Sequence, residues 1–343
     1  MTNSSRPVII SAPDPRSLDL IFTSDARKLL QDRYDLVECA PENVATLNAD
    51  TLRKARYIIG QPEISDHTLA QLQSLRCVLN VEGNLINNMP YGELFRQGIH
   101  VLTTSRVFAQ PVAEIGLAMA LNLARGVIDA DLDFRNGREL WGGEGNRSAR
   151  LLSGSDVGII GFGDLGRALR GVLSGFDVRI KAYDPWLPPS VLLENGVQPA
   201  GLSDVLSTSD FLFVLATVTT ENQGYLGARE FSMMRKGAAF ILLSRAEVVD
   251  FDALMDAVAS GHIKAASDVF PDEPMPKDHR VRALDGFLRS AHRAGALDSA
   301  FHNMGDMLLE DMDLMDRGLP PMRCKRAERE TVARMKSKPV TKN

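Results

Sequence analysis

The sequence predicts an α/β protein built from two doubly wound parallel sheets. Short apolar runs alternate with helix-length segments almost from end to end, which is typical of parallel sheets covered by helices. One long apolar segment divides this alternation into two arrays, and a glycine-rich turn follows the first strand of the second array. A chain of 343 residues is long enough to fold as two such domains.

The first array predicts a domain at residues 1–110. Amphipathic stretches such as residues 65–75 separate its apolar runs, as helices separate the strands of βαβ units. The strands are predicted at residues 8–10, 35–39, 57–59, 77–81 and 100–103.

The segment PVAEIGLAMALNLAR, residues 111–125, is apolar nearly all round and begins with a proline, which suits the first turn of a helix. We predict a long buried helix there that connects the two domains. The stretch at residues 135–155 is rich in Gly, Arg, Glu and Asn, and it predicts an exposed arm or loop.

The second array predicts a domain at residues 111–296. Its strands are predicted at residues 157–161, 178–183, 211–215, 240–243, 265–268 and 286–289. A helical stripe then follows, which we interpret as core packing and assign, with the rest of residues 297–330, to the first domain. The stripe consists of Leu297, Phe301, Met304, Leu308, Met312 and Met315.

The composition excludes several classes of protein. The N-terminus has no apolar run of the length found in signal peptides, and no window approaches the ~18 apolar residues of a membrane span. The three cysteines, Cys39, Cys77 and Cys324, form neither a disulfide framework nor a CxxC metal pair. We therefore expect a cytoplasmic protein with no membrane partner and no metal.

The charge is unevenly distributed along the chain. Residues 319–343 carry eight Lys or Arg and two Glu, so this end holds +6 and the remainder −11 of the net −5. A basic tail, here residues 331–343, is found in nucleic-acid-binding proteins, but it is also typical of a solvated C-terminus. Because the body is acidic, we expect no nucleic-acid partner.

A dinucleotide-binding turn is predicted within VGIIGFGDLGRALRGVL. Gly161, Gly163 and Gly166 form a G-x-G-x-x-G pattern between an apolar strand and a helical pattern. These glycines permit a tight turn, close approach of a pyrophosphate and close packing of helix on strand. The helix that Asp164 and Leu165 open would supply N–H donors to the pyrophosphate, although the Asp164 carboxylate would face an anion there.

Asp184 indicates which dinucleotide binds. It ends the strand VRIKAYD, eighteen residues after Gly166, where a carboxylate can accept hydrogen bonds from the adenosine ribose. The same carboxylate repels a 2′-phosphate, and the following Pro185 and Trp186 offer no arginine to hold one. NAD is therefore predicted rather than NADP.

Three polar residues follow strands of the second array: Arg245, Glu273 and His292. Because ligands bind beyond the carboxyl ends of parallel strands, all three are predicted to approach one crevice. An imidazole suits proton transfer near neutral pH, a carboxylate can orient it, and a guanidinium can bind a carboxylate with two hydrogen bonds. Each residue alone could equally be structural: a surface arginine, a turn carboxylate or a strand-end histidine.

Together these motifs resemble the D-isomer-specific 2-hydroxyacid dehydrogenase family, which includes formate, glycerate and 3-phosphoglycerate dehydrogenases. The resemblance covers residues 50–318 and is strongest at 153–296. It implies a flavodoxin-like substrate domain, a Rossmann NAD-binding domain and a homodimer formed through the latter. In the family's pattern Arg245 is the catalytic arginine, Glu273 pairs with the histidine, and His292 is the general acid and base.

The resemblance also implies roles for residues outside this trio. Asp268 would contact the nicotinamide carboxamide, and the loop NVEGNLINN would bind the substrate carboxylate through backbone N–H groups. The further binding residues it implies are Glu82, Gly83 and Asn84 for the substrate, and Thr217 and Gly295 for the cofactor. The substrate would be a small D-2-hydroxy acid or 2-keto acid.

The sequence departs from the family's pattern in places that concern the substrate. Leu242 and Ala246 stand where Asn and Gly are usual around the arginine, and Leu85 stands where an acidic residue is usual. Residues 60–63, GQPE, lack the arginines of phosphoglycerate-oxidising relatives. We therefore disfavour 3-phosphoglycerate, unless an arginine from elsewhere, such as Arg106, binds its phosphate. The alternative function on the same fold is an NAD-sensing binding protein or corepressor.

Overall fold

The computed structural model describes residues 6–334, so residues 335–343 of the predicted basic tail lie outside the described part of the chain. The chain forms two compact units. Unit 1 consists of Met1–Val107 and Ala296–Asn343, and unit 2 of Phe108–Gly295. The domain limits predicted from the sequence, 110/111 and 296/297, lie within three residues of these divisions.

Thirteen strands lie among the described residues. They are β1 (Val8–Ala12), β2 (Asp35–Glu38), β3 (Ala55–Gly60), β4 (Cys77–Asn80), β5 (His100–Thr103), β6 (Asp156–Ile160), β7 (Arg179–Tyr183), β8 (Gln198–Pro199), β9 (Phe211–Val214), β10 (Ala239–Leu242), β11 (Lys264–Ser267), β12 (Phe287–Arg289) and β13 (Lys325–Arg326). The eleven strands predicted from the alternation are all present, with ends that differ by one or two residues. The two-residue strands β8 and β13 were not predicted.

Fourteen α-helices connect or follow these strands within residues 6–334. They are α1 (Leu18–Ile21), α2 (Ser24–Arg33), α3 (Ala49–Lys54), α4 (Asp66–Gln71), α5 (Tyr91–Arg96), α6 (Ala109–Arg125), α7 (Val127–Arg135), α8 (Asp164–Val172), α9 (Pro189–Glu194), α10 (Leu202–Thr208), α11 (Ala228–Met233), α12 (Phe251–Ala259), α13 (Asp298–Asp316) and α14 (Arg329–Val332). Ser, Thr, Asn or Asp side chains cap five of them, including Asp250 before α12.

Unit 1 contains a six-stranded sheet in the order β13-β5-β4-β3-β1-β2. Strands β1 to β5 are parallel and follow the flavodoxin-like order 2-1-3-4-5, whose direction of winding reverses between β1 and β3. Strand β13 is antiparallel to β5 and lies at the edge. The carboxyl ends of β1, β3 and β4 therefore converge at the reversal point, where open α/β sheets bind ligands.

Unit 2 contains a seven-stranded parallel sheet in the order β12-β11-β10-β9-β6-β7-β8. Winding starts at β6, runs outward to β8 and then resumes on the other side of β6 with β9, as in a Rossmann sheet. Successive residues of β9 alternate between two buried cores, Phe211 and Phe213 in one and Leu212 and Val214 in the other. Both faces are covered, which confirms the predicted fold class of two doubly wound sheets.

Helix α6 is the long apolar helix predicted between the domains. It begins at Ala109, so Pro111 is its third residue rather than its first, still within the turn whose N–H groups lack helical partners. The helical segment Ser105–Arg125 is long and apolar enough to cross a membrane, yet 44% of its apolar window is buried. Because Val112 and Met119 belong to the core of unit 2, α6 is a core helix. The predicted arm after α7 is largely exposed.

Helix α13 carries the methionine stripe. Met304, Leu308, Met312 and Met315 are buried, which confirms the predicted core packing. Phe301 is half-buried, and Leu297 is 46% exposed because it precedes the first turn of the helix.

Candidate active site

The glycine turn joins β6 to α8, and close contacts account for two of its three glycines. Gly161 has φ +88°, and a Cβ there would lie 2.6 Å from the backbone of Ala216. A Cβ on Gly166 would lie 2.9 Å from the carbonyl oxygen of Gly161, so this glycine lets α8 pack closely on the turn. A Cβ on Gly163 would meet no atom within 4 Å and would instead fill the space before the helix. The turn therefore fits a pyrophosphate at Gly163.

Asp164 and Leu165 are the first two residues of α8, as predicted. The Asp164 carboxylate lies 4.0 Å from the guanidinium of Arg167 one turn later, which partly balances its negative charge. Leu165 packs against the core beneath the sheet.

Asp184 follows β7 and is hydrogen-bonded to the glycine turn. Its Oδ2 accepts the N–H of Phe162 at 2.8 Å, and its Oδ1 accepts the N–H of Trp186 at 2.9 Å. Each oxygen keeps a further lone pair, so the carboxylate can still accept hydrogen bonds from ribose hydroxyls. Asp184 also lines a cavity of about 340 Å³ together with Tyr183, Leu187, Leu192 and Ala200. Its largely apolar wall fits an adenine ring.

His292 and Glu273, nineteen residues apart in sequence, are in direct contact. The imidazole Nδ1 of His292 lies 2.6 Å from Oε2 of Glu273, and Glu273 Oε1 accepts the N–H of Phe270 at 2.9 Å. Both carboxylate oxygens therefore have a partner, and the contact with Nδ1 fixes the orientation of the imidazole ring. The imidazole itself is part-exposed, so its Nε2 is left for another partner.

The pKa of Glu273 reflects this arrangement. Burial acts to raise the pKa, but the hydrogen bonds from His292 and Phe270 and the positive charge of Arg245 act more strongly together and hold it below the ordinary value. Glu273 therefore stays ionised beside the imidazole.

A second carboxylate, Asp268, shapes the turn that carries His292. His292 has φ +47°, which is uncommon for a residue with a side chain. Its N–H donates to the carbonyl of Asp268 at 2.7 Å. The Asp268 carboxylate accepts the N–H groups of Arg293 at 3.1 Å and Ala294 at 3.0 Å. These three bonds hold the left-handed turn and direct the ring toward Glu273.

Arg245 lies three residues beyond β10, at the same edge of the sheet. Its Nη1 donates to the carbonyl of Ser244 at 2.8 Å, which orients the guanidinium. Burial lowers the pKa of Arg245 from its ordinary value, while the nearby Glu247 and Glu273 act to raise it. The side chain remains a cation, since arginine is not deprotonated in proteins.

Thr217 and Gly295 are the other two residues predicted to bind the cofactor, and their surroundings differ from each other. Thr217 is exposed after β9, and its carbonyl accepts the side-chain N–H of Asn222 at 2.8 Å. A Cβ on Gly295 would lie 2.7 Å from the ring of Phe108, so packing within unit 2 accounts for this glycine.

The predicted substrate loop lies in unit 1, after β4. Asn80 organises it: its Oδ1 accepts the N–H of Glu82 at 2.7 Å, and its Nδ2 donates to the carbonyl of Asn84 at 2.5 Å. Gly83 has φ +81°, a conformation that favours glycine. The loop is thereby closed around Gly83.

The sequence does not predict that two residues, Asn80 and Asp268, organise these loops. Asn80 is fully buried and was counted only as part of a strand. Asp268 is predicted from the family's pattern to contact the cofactor, and in the structure its two oxygens accept backbone N–H groups beside His292. A buried polar residue at the end of an apolar strand is the sequence signal that could have indicated both.

Comparison with known proteins bears on these observations. A model of the NAD binding domain of the D-isomer specific 2-hydroxyacid dehydrogenases matches residues 117–294. A glyoxylate reductase of Korarchaeum cryptofilum is 30% identical over 68% of this chain and 72% of its own length. A D-3-phosphoglycerate dehydrogenase of Archaeoglobus fulgidus is 26% identical over 78% of this chain and 50% of its own.

Among solved structures, a phosphoglycerate oxidoreductase from Rhizobium etli is 69% identical and superposes with a TM-score of 0.89, covering 94% of this chain and 99% of its own. The chain belongs to the D-isomer specific 2-hydroxyacid dehydrogenase family. It is therefore an NAD(P)-dependent oxidoreductase of small 2-hydroxy and 2-keto acids.

Proposed function

We propose that this family member transfers a hydride between NAD and C2 of a small, unphosphorylated D-2-hydroxy acid, with Arg245, Glu273 and His292 as its catalytic residues. The observation that carries the proposal is the 2.6 Å contact between His292 Nδ1 and Glu273 Oε2, with the charge of the part-buried Arg245 guanidinium nearby. The nicotinamide, when bound, supplies or accepts the hydride; the protein supplies the proton and the charge.

His292 moves the proton. Because Nδ1 is engaged by Glu273, Nε2 is the nitrogen that takes the proton from the C2 hydroxyl during oxidation and returns it during reduction. The ionised Glu273 stabilises the protonated ring that forms in between.

Arg245 holds the acid. One N–H of its guanidinium is used by the Ser244 carbonyl, which leaves the others for the substrate carboxylate and the C2 oxygen. A positive charge at the C2 oxygen stabilises the negative charge that develops there in reduction. In the family's pattern the loop of Glu82, Gly83 and Asn84 binds the substrate carboxylate through backbone N–H groups, of which that of Glu82 already donates to Asn80 Oδ1.

The cofactor proposed is NAD rather than NADP. Glycines 161, 163 and 166 with Asp164 and Leu165 would hold the pyrophosphate, and Asp184 would accept the ribose hydroxyls. Thr217, Asp268 and Gly295 complete the proposed cofactor set from the family's pattern. A 2′-phosphate would lie against the Asp184 carboxylate, and the neighbouring Pro185 and Trp186 offer it no positive charge.

A homodimer formed through unit 2 is part of the proposal. Helix α7 and the arm that follows expose a set of large apolar side chains, of which Trp141 is 75% exposed. The set is Val127, Ile128, Leu132, Phe134, Leu140, Trp141 and Leu151. A second copy of the chain would cover them. The cysteines Cys39, Cys77 and Cys324 are free thiols, in keeping with the proposed cytoplasmic location.

Stopped-flow kinetics tests the function. The purified protein is mixed with NADH or NADPH and a panel of glyoxylate, pyruvate, hydroxypyruvate and 3-phosphohydroxypyruvate, while the absorbance of the reduced nicotinamide is followed. We expect oxidation of NADH, in preference to NADPH, with at least one unphosphorylated acid. Binding of NADH without its oxidation by any acid would contradict the enzyme and favour an NAD-sensing protein.

A further inference from the structure

We propose that unit 1 contains a binding site for a monocarboxylate with an apolar body, in a cavity bounded by helix α5, helix α14 and residues 85–90. This site is separate from the glycine turn and the trio, all of which lie in unit 2. It requires no catalysis by the protein, so it goes beyond the proposed function and is tested independently of it.

The cavity is formed by residues of unit 1 alone and has a volume of about 730 Å³. This volume is within the range of sites that hold small organic ligands, and it is larger than that of the cavity lined by Asp184. Its wall is formed largely by apolar and aromatic side chains. They are Leu85, Ile86, Met89, Tyr91, Phe95 and Val332.

The apolar part of the wall is anchored in the core of unit 1. Leu85, Met89 and Tyr91 are buried members of that core, and Phe95 and Val332 pack against it. These side chains are therefore held in place by the fold itself. An apolar body that enters the cavity would displace water from them, which favours binding.

The backbone of residues 85–90, which forms one side of the cavity, is fixed by side-chain hydrogen bonds. Nδ2 of Asn88 donates to the carbonyl of Gln61 at 3.0 Å. The hydroxyl of Tyr91, at the start of α5, donates to the carbonyl of Ile86 at 2.8 Å. The cavity is thus formed before a ligand binds, as in most small-molecule sites.

The charged side chains that line the cavity are two arginines, with no carboxylate among the lining residues. Arg96 is paired with Glu93 one turn earlier on α5, so its charge is balanced. Arg329 forms no ion pair within residues 6–334, and its guanidinium carbon lies 6.0 Å from the centre of the Phe95 ring. One uncompensated positive charge therefore lies at the apolar wall.

This charge defines the polar group of the ligand. A single carboxylate can bind the guanidinium of Arg329 through two hydrogen bonds. An ammonium group would be repelled, and a second carboxylate would have to leave water for an apolar wall. The ligand class is therefore the monocarboxylates with an apolar chain or ring, such as fatty acids and arylalkanoic acids.

Isothermal titration calorimetry on the full-length protein tests the proposal. Octanoate and 3-phenylpropanoate represent a chain and a ring, while hexanoate, octan-1-ol and octylammonium vary the length and the charge. Arg329→Gln removes the cation and Arg329→Lys keeps one. Lys28→Gln is the matched control, since Lys28 is exposed on α2 in the same unit. Each titration is repeated with NAD, and denaturant unfolding shows that each variant is folded.

We expect octanoate to bind at one site, with the same affinity in the presence of NAD. It should bind about 10-fold more tightly than hexanoate, because each buried methylene contributes roughly 4-fold. Arg329→Gln weakens octanoate about 10-fold and leaves octan-1-ol unchanged, whereas Arg329→Lys retains most of the affinity. Octylammonium binds more weakly than octan-1-ol, and Lys28→Gln changes nothing. A higher affinity for octanoate or for 3-phenylpropanoate identifies a chain or a ring as the preferred body.

Failure of both acids to bind would overturn the proposal. So would loss of octanoate binding in the presence of NAD, because the acid would then occupy the cofactor site of unit 2. Equal octanoate affinities of the wild type and a folded Arg329→Gln would contradict the assigned site. An affinity that falls as the protein concentration rises would mean that a second copy of the chain covers the cavity, which also overturns the proposal. Failure of the proposed function is distinguishable, since a protein that reduces no 2-keto acid would still bind octanoate.

Discussion

Two buried carboxylates, Asp268 in unit 2 and Glu82 in unit 1, have opposite surroundings. Asp268 is 1% exposed and accepts two backbone N–H groups from the turn of His292. Glu82 is 8% exposed and accepts no hydrogen bond from any described residue. Both follow a strand at the carboxyl edge of a parallel sheet.

Asp311 shows that the difference is not one of burial alone. It is fully buried in α13, and its oxygens accept the N–H groups of Met322, Arg323 and Cys324 at 2.7, 2.9 and 2.8 Å. Carboxylates surrounded by backbone donors hold loops in place, as Asp268 and Asp311 do. Glu82 lacks such donors, and the guanidinium of Arg16, whose Nε lies 3.3 Å from Oε1, compensates its charge. We therefore expect Asp268 to contribute more to the stability of its loop than Glu82 does.

The largest effect is expected at His292. Replacing it by Gln removes the acid and base, and kcat should fall about 10²-fold to 10⁴-fold while NADH binding persists. His67→Gln, on the exposed surface of α4, is the control. A rate near that of the wild type would show that His292 is not the base.

A smaller effect is expected at Asp184. Asp184→Ser should raise the ratio of kcat/KM for NADPH over that for NADH by at least about 10-fold, because the charge facing a 2′-phosphate is removed. The ratio is measured because loss of the bonds to Phe162 and Trp186 also weakens the turn. Glu194→Gln, exposed on α9, is the matched control. An unchanged ratio would place the cofactor selection elsewhere.

Replacing each buried carboxylate by the corresponding amide should affect stability differently at Asp268 and at Glu82. In Asp268→Asn the new side-chain NH₂ group faces one of the two backbone N–H groups that the carboxylate binds, and that hydrogen bond is lost. The free energy of unfolding should therefore fall by about 2 kcal/mol. Glu82→Gln disturbs no hydrogen bond, and we expect a change within about 1 kcal/mol. Denaturant unfolding of both variants checks this. Equal losses would mean that Glu82 is a structural residue like Asp268.

The smallest effect is expected at Glu273, where a substitution should shift the pH dependence of the reaction rate. In Glu273→Gln the imidazole of His292 loses its carboxylate partner, so the rate of keto-acid reduction should decline at a lower pH than in the wild type. In the wild type, the lowered pKa of Glu273 means that its ion pair is present above the ordinary pKa of a glutamate and is lost as the pH falls.

Rate profiles against pH, compared with Asp272→Asn in the same turn, measure this displacement. Coincident profiles for Glu273→Gln and the wild type would show that the contact at 2.6 Å does not govern the protonation of the ring.

Much of the site could be predicted because its residues occupy regular positions after strands. The glycine turn, Asp184 and the trio each follow a strand that hydrophobic alternation identifies. The contact between His292 and Glu273 followed from the family's pattern. The bonds from Asp268 to the backbone of residues 293 and 294 could not be predicted, since no residue type marks a backbone N–H that lacks a partner. The packing of Phe108 on Gly295 could not be predicted either, because the two residues are far apart in sequence.

The sequence by itself determined the two parallel sheets and the dinucleotide turn, because these depend on periodicity and on spacing along the chain; the roles of Arg245, Glu273 and His292 are what the family resemblance implies. Only the tertiary structure decided which polar groups form hydrogen bonds with one another. The bond network of Asp268 and the unpartnered carboxylate of Glu82 depend on where the backbone of distant segments lies. Hydrogen bonding is short-ranged and directional, so this distinction between a carboxylate with backbone partners and one without exists only in the folded chain.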